Sequence, residues 1–156
     1  MLGLSGAMGT QGGAVSVNAW GYSIGRAARL QHLPSDFLEA LAGHDEVLVT
    51  SREGETRGTV PTWFVIAEPG VVYLFSFAFS EKVRRWRSDP WVRLAVPGQP
   101  GNAVEGAAHF VDPDDLDPEV ARQVVERWSM QGAPTVEGLR RTLRDRVHAL
   151  VRVESA

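Results

Sequence analysis

At 156 residues, 44% hydrophobic and 22% charged, the chain has the size and composition of one globular domain. The absence of cysteine excludes disulfides, thiolate metal sites and cysteine nucleophiles, and no run approaches the ~18–20 apolar residues that cross a bilayer. Sixteen cations against nineteen anions leave −3, too balanced for a general nucleic-acid or membrane-surface binder, so a soluble cytoplasmic protein is expected.

Residues 1–19 are small and aperiodic, and the first cation is Arg26, so no basic n-region precedes an apolar stretch. The expectation is a flexible tail over 1–19 followed by a single domain over 20–156. A short helix is predicted over 36–42, with Ser35 or Asp36 capping its start and Gly43 a left-handed cap at its end. Strand patterns follow at 46–50, 56–67 and 71–77, joined by the turn chemistry of Glu53-Gly54-Glu55 and Glu68-Pro69-Gly70. Pro61 falls inside the second strand, where its missing N–H marks an edge, a bulge or a site facing a ligand.

Ser80 is placed to cap a second helix over 81–87. Trp91 to Val96 then alternates as a strand, residues 97–102 read as a Gly/Pro loop, and 103–111 as a strand with Gly106 a bulge or close approach. The Asp112-Pro113-Asp114-Asp115 run reads as capping loop, because an EF-hand's glycine and final glutamate are missing. Val120, Val124 and Trp128 recur at helical spacing after Pro118, a shorter helix follows Gly132, and 146–154 is a last strand. So many hairpins among so few helices predict a mostly β fold.

The densest chemistry runs from Ser76 to Arg87, from a strand end into a helix start. Free amides and the positive dipole end there suit a phosphate, and Ser76 and Ser80 add hydroxyls. Of the sixteen Lys and Arg residues fifteen are arginine, and Lys82 is the only lysine. A solvated helix face fits the same local spacing, and the residues alone leave both readings open. His32, His44, His109 and His148 are too scattered for a helical metal motif, so no metal is expected, and no Gly-x-Ser-x-Gly elbow is present.

The ordered set from Glu46 to Val111 resembles the FMN-binding split-barrel family, the pyridoxamine 5′-phosphate oxidase-like proteins. The resemblance rests on the Thr59-Val60-Pro61-Thr62-Trp63-Phe64 strand and the hairpin to Tyr73-Leu74-Phe75-Ser76. It continues through the Ser80-Glu81-Lys82 helix start, Asp89-Pro90-Trp91-Val92 and Val104-Glu105-Gly106-Ala107-Ala108. It implies a six-stranded antiparallel split β-barrel with two or three small flanking helices, forming a homodimer. It also implies that Ser76, Phe77, Ser80, Glu81 (through backbone), Lys82 and Arg85 surround the phosphate of FMN. Val60, Pro61, Thr62 and Trp63 would line the isoalloxazine, Arg57 is a weaker candidate, and Asn102 would serve the partner subunit's flavin.

The chain departs from vitamin B6 oxidases at Glu81, where they often carry arginine. It also stops at Ala156, where they continue into a segment with aromatic, Arg and His residues. The expectation is therefore an oxidoreductase moving electrons between NADH or NADPH and a small molecule other than a B6 vitamer, with no catalytic side chain assigned. A deazaflavin-dependent reductase and a non-catalytic flavin or haem carrier are the alternatives on the same barrel. The resemblance puts much of the Arg-aromatic set around Trp86 and Trp91 beside a phosphate or an interface, so neither nucleic acid nor membrane is an expected partner.

Overall fold

The computed structural model describes residues 32–155 other than Pro69; the expected 1–19 tail and residues 20–31 lie outside the described residues. Helix α1 (Ser35–Leu41) precedes three consecutive strands, β1 (Glu46–Glu53), β2 (Thr56–Ala67) and β3 (Val71–Phe77). Helix α2 (Glu81–Ser88) leads into the β4 (Trp91–Val96) and β5 (Gln99–Phe110) hairpin. Helices α3 (Pro118–Trp128) and α4 (Val136–Arg144) then return the chain to β6 (His148–Ser155). Every strand pairing is antiparallel, and the order β1-β2-β3-β6-β5-β4 closes into a barrel. The expected six-stranded barrel is therefore present, and among the described residues four α-helices flank it rather than two or three.

Period-two alternation explains the two-sided burial. Val47, Val49, Phe64, Val72, Leu74, Val92, Leu94, Val151 and Val153 fill the barrel, together with Val83 and Trp86 of α2 and Phe37 and Leu41 of α1. Residues of the opposite parity, Val65, Phe75 and Leu150, are covered by Val120, Val124, Leu139 and Leu143 of α3 and α4. A sheet buried on both faces over part of its width needs apolar residues in continuous runs there, which is why 71–77 reads Val-Val-Tyr-Leu-Phe-Ser-Phe.

Three local expectations are corrected and one open pair is decided. Helix α1 follows Pro34, which has no side chain able to cap, so Ser35 lies inside the helix and neither Ser35 nor Asp36 caps it. The helix ends at a right-handed Ala42 whose amide bonds Leu38 O, and Gly43 has no positive φ. Residues 99–102 belong to β5, because Gly98 at φ 81° lets a two-residue turn at 97–98 close the hairpin. Of the two readings of Gly106 the close approach is the one present: a Cβ there would collide with Glu154 O, while the register shift lies at Ala95/Val96.

Strand β2 meets its two neighbours over different stretches. Its residues 56–63 pair with β1 and Trp63–Ala67 with β3, so only Trp63 is paired on both sides. Among the described residues the 56–62 segment thus runs as an arm with one free edge. Pro61 lies on it in register with Leu48, and its missing N–H leaves no ladder bond unmade on that side.

Candidate cofactor site

The end of β3 and the start of α2 bring two hydroxyls together. Ser76 is 3% exposed, the chain turns through Ala78 and Phe79, and Ser80 N bonds Phe77 O at 3.1 Å. Ser80 has the extended backbone of an N-cap residue, yet its hydroxyl makes no capping bond. It lies 3.2 Å from Ser76 Oγ instead. The first amides of α2 therefore meet no capping side chain, and two hydroxyls sit beside them.

Lys82 ties this corner to the β2 arm. Its Nζ donates to Pro61 O at 3.1 Å, across 21 residues of sequence. Burial holds its pKa below the usual lysine range, and the Glu46 carboxylate opposes that shift. Among the described residues no carboxylate lies within ion-pair distance of Nζ. The only lysine of the chain is thus half-buried and satisfied by a neutral carbonyl, which a stronger acceptor can displace.

The neighbouring charges are arranged around it. Arg84 binds both Glu53 oxygens (2.9 and 3.2 Å) and Glu81 Oε1 (2.7 Å), holding both carboxyls below the usual glutamate range. Glu81 is thereby tied to Arg84, which offsets the charge of an acidic residue at the helix start. Arg85 reaches back to the arm: a Cβ on Gly58 would stand 2.6 Å from its Nη1. Its Nε lies 3.7 Å from Glu81 Oε1 and 3.9 Å from Glu53 Oε2 but is buried without a hydrogen bond, as is Thr62 Oγ1. Buried polar atoms without a hydrogen bond are uncommon, and two fall on the expected residue set.

An aromatic wall adjoins the hydroxyl pair. Trp63 stacks on Trp128 (5.5 Å) and meets Phe77 edge-on (5.7 Å), while Phe79, 83% exposed, stacks on Phe77. His148 lies between Phe75 and Phe77, with ring centroids 4.8 and 5.0 Å away. Its Nε2 is 2.8 Å from Gln131 O. A carbonyl can only accept, so Nε2 carries the proton, and burial lowers the pKa and favours the neutral ring.

The expected residues therefore fall into two joined groups: Ser76, Phe77, Ser80, Glu81, Lys82 and Arg85 around the helix start, and Val60, Pro61, Thr62 and Trp63 along the arm. Val60 and Pro61 are exposed on the arm, and Thr62 is buried. Arg57 packs over the Trp91 ring, and Asn102 bonds Gln99 within its own strand. The sequence reading missed Trp128 as part of the aromatic wall, since its helical spacing signals core. It also missed Gly58, whose lack of a side chain admits Arg85.

No protein-family model matches the sequence, and the curated proteins give no match. Solved structures do match. The heme storage protein HutZ of Vibrio cholerae superposes with a TM-score of 0.58 at 14% identity, over 81% of this chain and 92% of that one. A FAD-binding protein of Mesorhizobium loti gives a TM-score of 0.52 at 18% identity, over 79% and 88%. A Listeria innocua protein described as a candidate pyridoxamine 5′-phosphate oxidase gives 0.50 at 16%, over 76% and 89%. The architecture is a closed antiparallel barrel flanked by helices. More narrowly, it is the split-barrel fold of the pyridoxamine 5′-phosphate oxidase-like proteins. Among the described residues no helix is long and apolar enough to cross a membrane.

Proposed function

We propose that this protein binds FMN and acts as a flavin-dependent oxidoreductase on a small molecule, drawing electrons from NADH or NADPH. The observation that carries this reading is the junction of the Ser76-Ser80 hydroxyl pair with Lys82 and, through Lys82 Nζ, with Pro61 on the free arm of β2. Ser76, Ser80 and Lys82 supply the donors a phosphate needs. Two side-chain atoms without hydrogen-bond partners, Thr62 Oγ1 and Arg85 Nε, belong to the same set. Among the described residues Val60 to Thr62 leave one strand edge unpaired, along which a flat ring system can lie with Trp63 at its end. FMN, when bound, supplies hydride and single-electron chemistry. The chain's own residues hold the phosphate, keep the ring against the arm and shield one side of it.

A flat ligand against an exposed arm needs a second wall, and a second copy of the chain is proposed to provide it. HutZ is described as a heme storage protein, so a haem reading on this fold has to be weighed. Flavin is preferred because His148 is buried and already bonds Gln131 O, and His109 pairs with Glu154 at 2.8 Å. Neither offers a free imidazole beside the serines. A deazaflavin would use the same phosphate cradle.

The visible spectrum of freshly purified protein tests the reading. Flavin bands that bleach anaerobically with NADH or NADPH are expected. A haem Soret band, a deazaflavin spectrum, or failure of the colourless protein to take up FMN would each contradict it.

A further inference from the structure

A cavity of about 340 Å³ lies where the C-terminal turn of α2 meets the end of β5 and the start of β6, and its walls include none of the proposed FMN ligands. Arg87 and Arg146 both face it, with Phe110, Leu143 and Leu150 as apolar wall and Asp112 as a carboxylate on the wall. Among the described residues neither arginine has an ion-pair partner, whereas eight other arginines do.

Arg146 is the only described residue other than glycine with a positive φ, at 58°. Its backbone ends α4 in a Schellman arrangement: Val147 N bonds Thr142 O at 2.8 Å and Arg146 N bonds Leu143 O at 3.3 Å. Glycine fits that position without steric cost, so the backbone alone gives no reason for an arginine there. Arg87 is positioned differently. Its guanidinium carbon lies 4.1 Å from the Phe110 ring centroid, and among the described residues its N–H groups make no side-chain hydrogen bond or ion pair, so they can meet a bidentate acceptor. Asp112 Oδ1 already accepts from Asp114 N at 2.8 Å. Two guanidiniums thus face the cavity against one partly engaged carboxylate.

We propose that this cavity binds a small organic oxyanion, a carboxylate or phosphate monoester, with Arg87 and Arg146 taking the anionic head and the Phe110-Leu143-Leu150 wall taking its apolar body. The volume is at the lower end of the ~300–1,000 Å³ of ligand pockets, enough for a single ring but not a dinucleotide.

Thermal shift and calorimetric titration at constant ionic strength, with benzoate, phenyl phosphate and inorganic phosphate, test this on the wild type, Arg87→Gln, Arg146→Gly and Lys82→Ala. Saturable binding of benzoate or phenyl phosphate is expected in the wild type and in Lys82→Ala, weakened at least about 10-fold in the two arginine variants. Preference between benzoate and phenyl phosphate assigns the head group. Arg146→Gly places the favoured residue at a positive φ, so it should melt no lower than wild type, and lost binding cannot then be read as lost folding. No saturable binding of either organic anion, or binding that survives both arginine substitutions, overturns the proposal. A response abolished by Lys82→Ala alone belongs to the FMN cradle and also overturns it.

Discussion

Helices α2, α3 and α4 all begin at a residue whose side chain can cap, and they use that residue differently. Asp117 Oδ1 accepts from Glu119 N and Val120 N at the start of α3, and Thr135 Oγ1 accepts from Gly138 N at the start of α4. Ser80 holds the backbone conformation of a cap at the start of α2 but turns its hydroxyl to Ser76. Helices α3 and α4 cover the outer face of the barrel, where the cap is part of stability. Helix α2 begins at a corner with Lys82 and the β2 arm, where uncapped amides and a hydroxyl bonded only to its neighbour are available to an outside acceptor. A helix start left open beside a half-buried ammonium is the arrangement a phosphate would complete.

Substitutions at the two kinds of helix start should separate these roles. The largest effect is expected from replacing Ser76 and Ser80 together by alanine. Hydrogen bonds to charged groups contribute about 1.5–3 kcal/mol, so FMN affinity should fall by at least about 10-fold in calorimetric titration. Asp117→Ala should cost about 1 kcal/mol of folding stability, read by urea denaturation, and leave FMN affinity unchanged. Ser80→Ala alone is the counterpart: it breaks the bond to Ser76 Oγ but no cap bond, so apo stability should fall by about 0.5–1.5 kcal/mol. Ser76→Ala, which breaks the same bond away from the helix start, should lose as much, and a clearly larger loss in Ser80→Ala would mean that Ser80 is an ordinary cap.

A pH measurement sharpens the contrast from the side of the aromatic wall. His148 has a folded pKa depressed below its ordinary 6.5 by burial. The unfolded chain therefore binds the proton more readily, and stability present above pH 6.5 is lost as pH falls from there toward the folded pKa. Thermal melts of the wild type should decline over that window, and His148→Gln should decline less. Equal slopes would assign the acid sensitivity to other groups.

The meander from β1 to β3 was legible because its β-branched alternation and its turn residues agree with one another. The tip of the β4–β5 hairpin is not legible in the same way, since Pro97, Gly98, Pro100 and Gly101 carry loop composition while only 97–98 form the turn. Strand pairing outweighs composition there. At α1 local chemistry misled in the same way: Gly43 looks like a cap, but the helix closes one residue earlier on Ala42 without a left-handed residue. At the candidate site the local sequence signalled the hydroxyls and the lysine, because they share one strand-turn-helix segment. It could not signal that Lys82 Nζ reaches Pro61 O, that Arg85 passes over Gly58, or that Trp128 stacks on Trp63. Those are contacts between elements, made by the closure of the barrel and the packing of α3.

The central claim is that the corner between β3, α2 and the β2 arm holds the FMN phosphate, and Lys82 tests it most directly. Apo wild type, Lys82→Ala and Lys82→Arg should be titrated with FMN, each variant first checked for an unchanged apo melting curve. Loss of the ammonium removes a charge-assisted bond of roughly 1.5–3 kcal/mol, so the dissociation constant should rise about 10- to 150-fold in Lys82→Ala. Lys82→Arg should recover only part, because a planar fork does not replace a compact ammonium. Equal dissociation constants for all three proteins would remove Lys82 from the site and contradict the account.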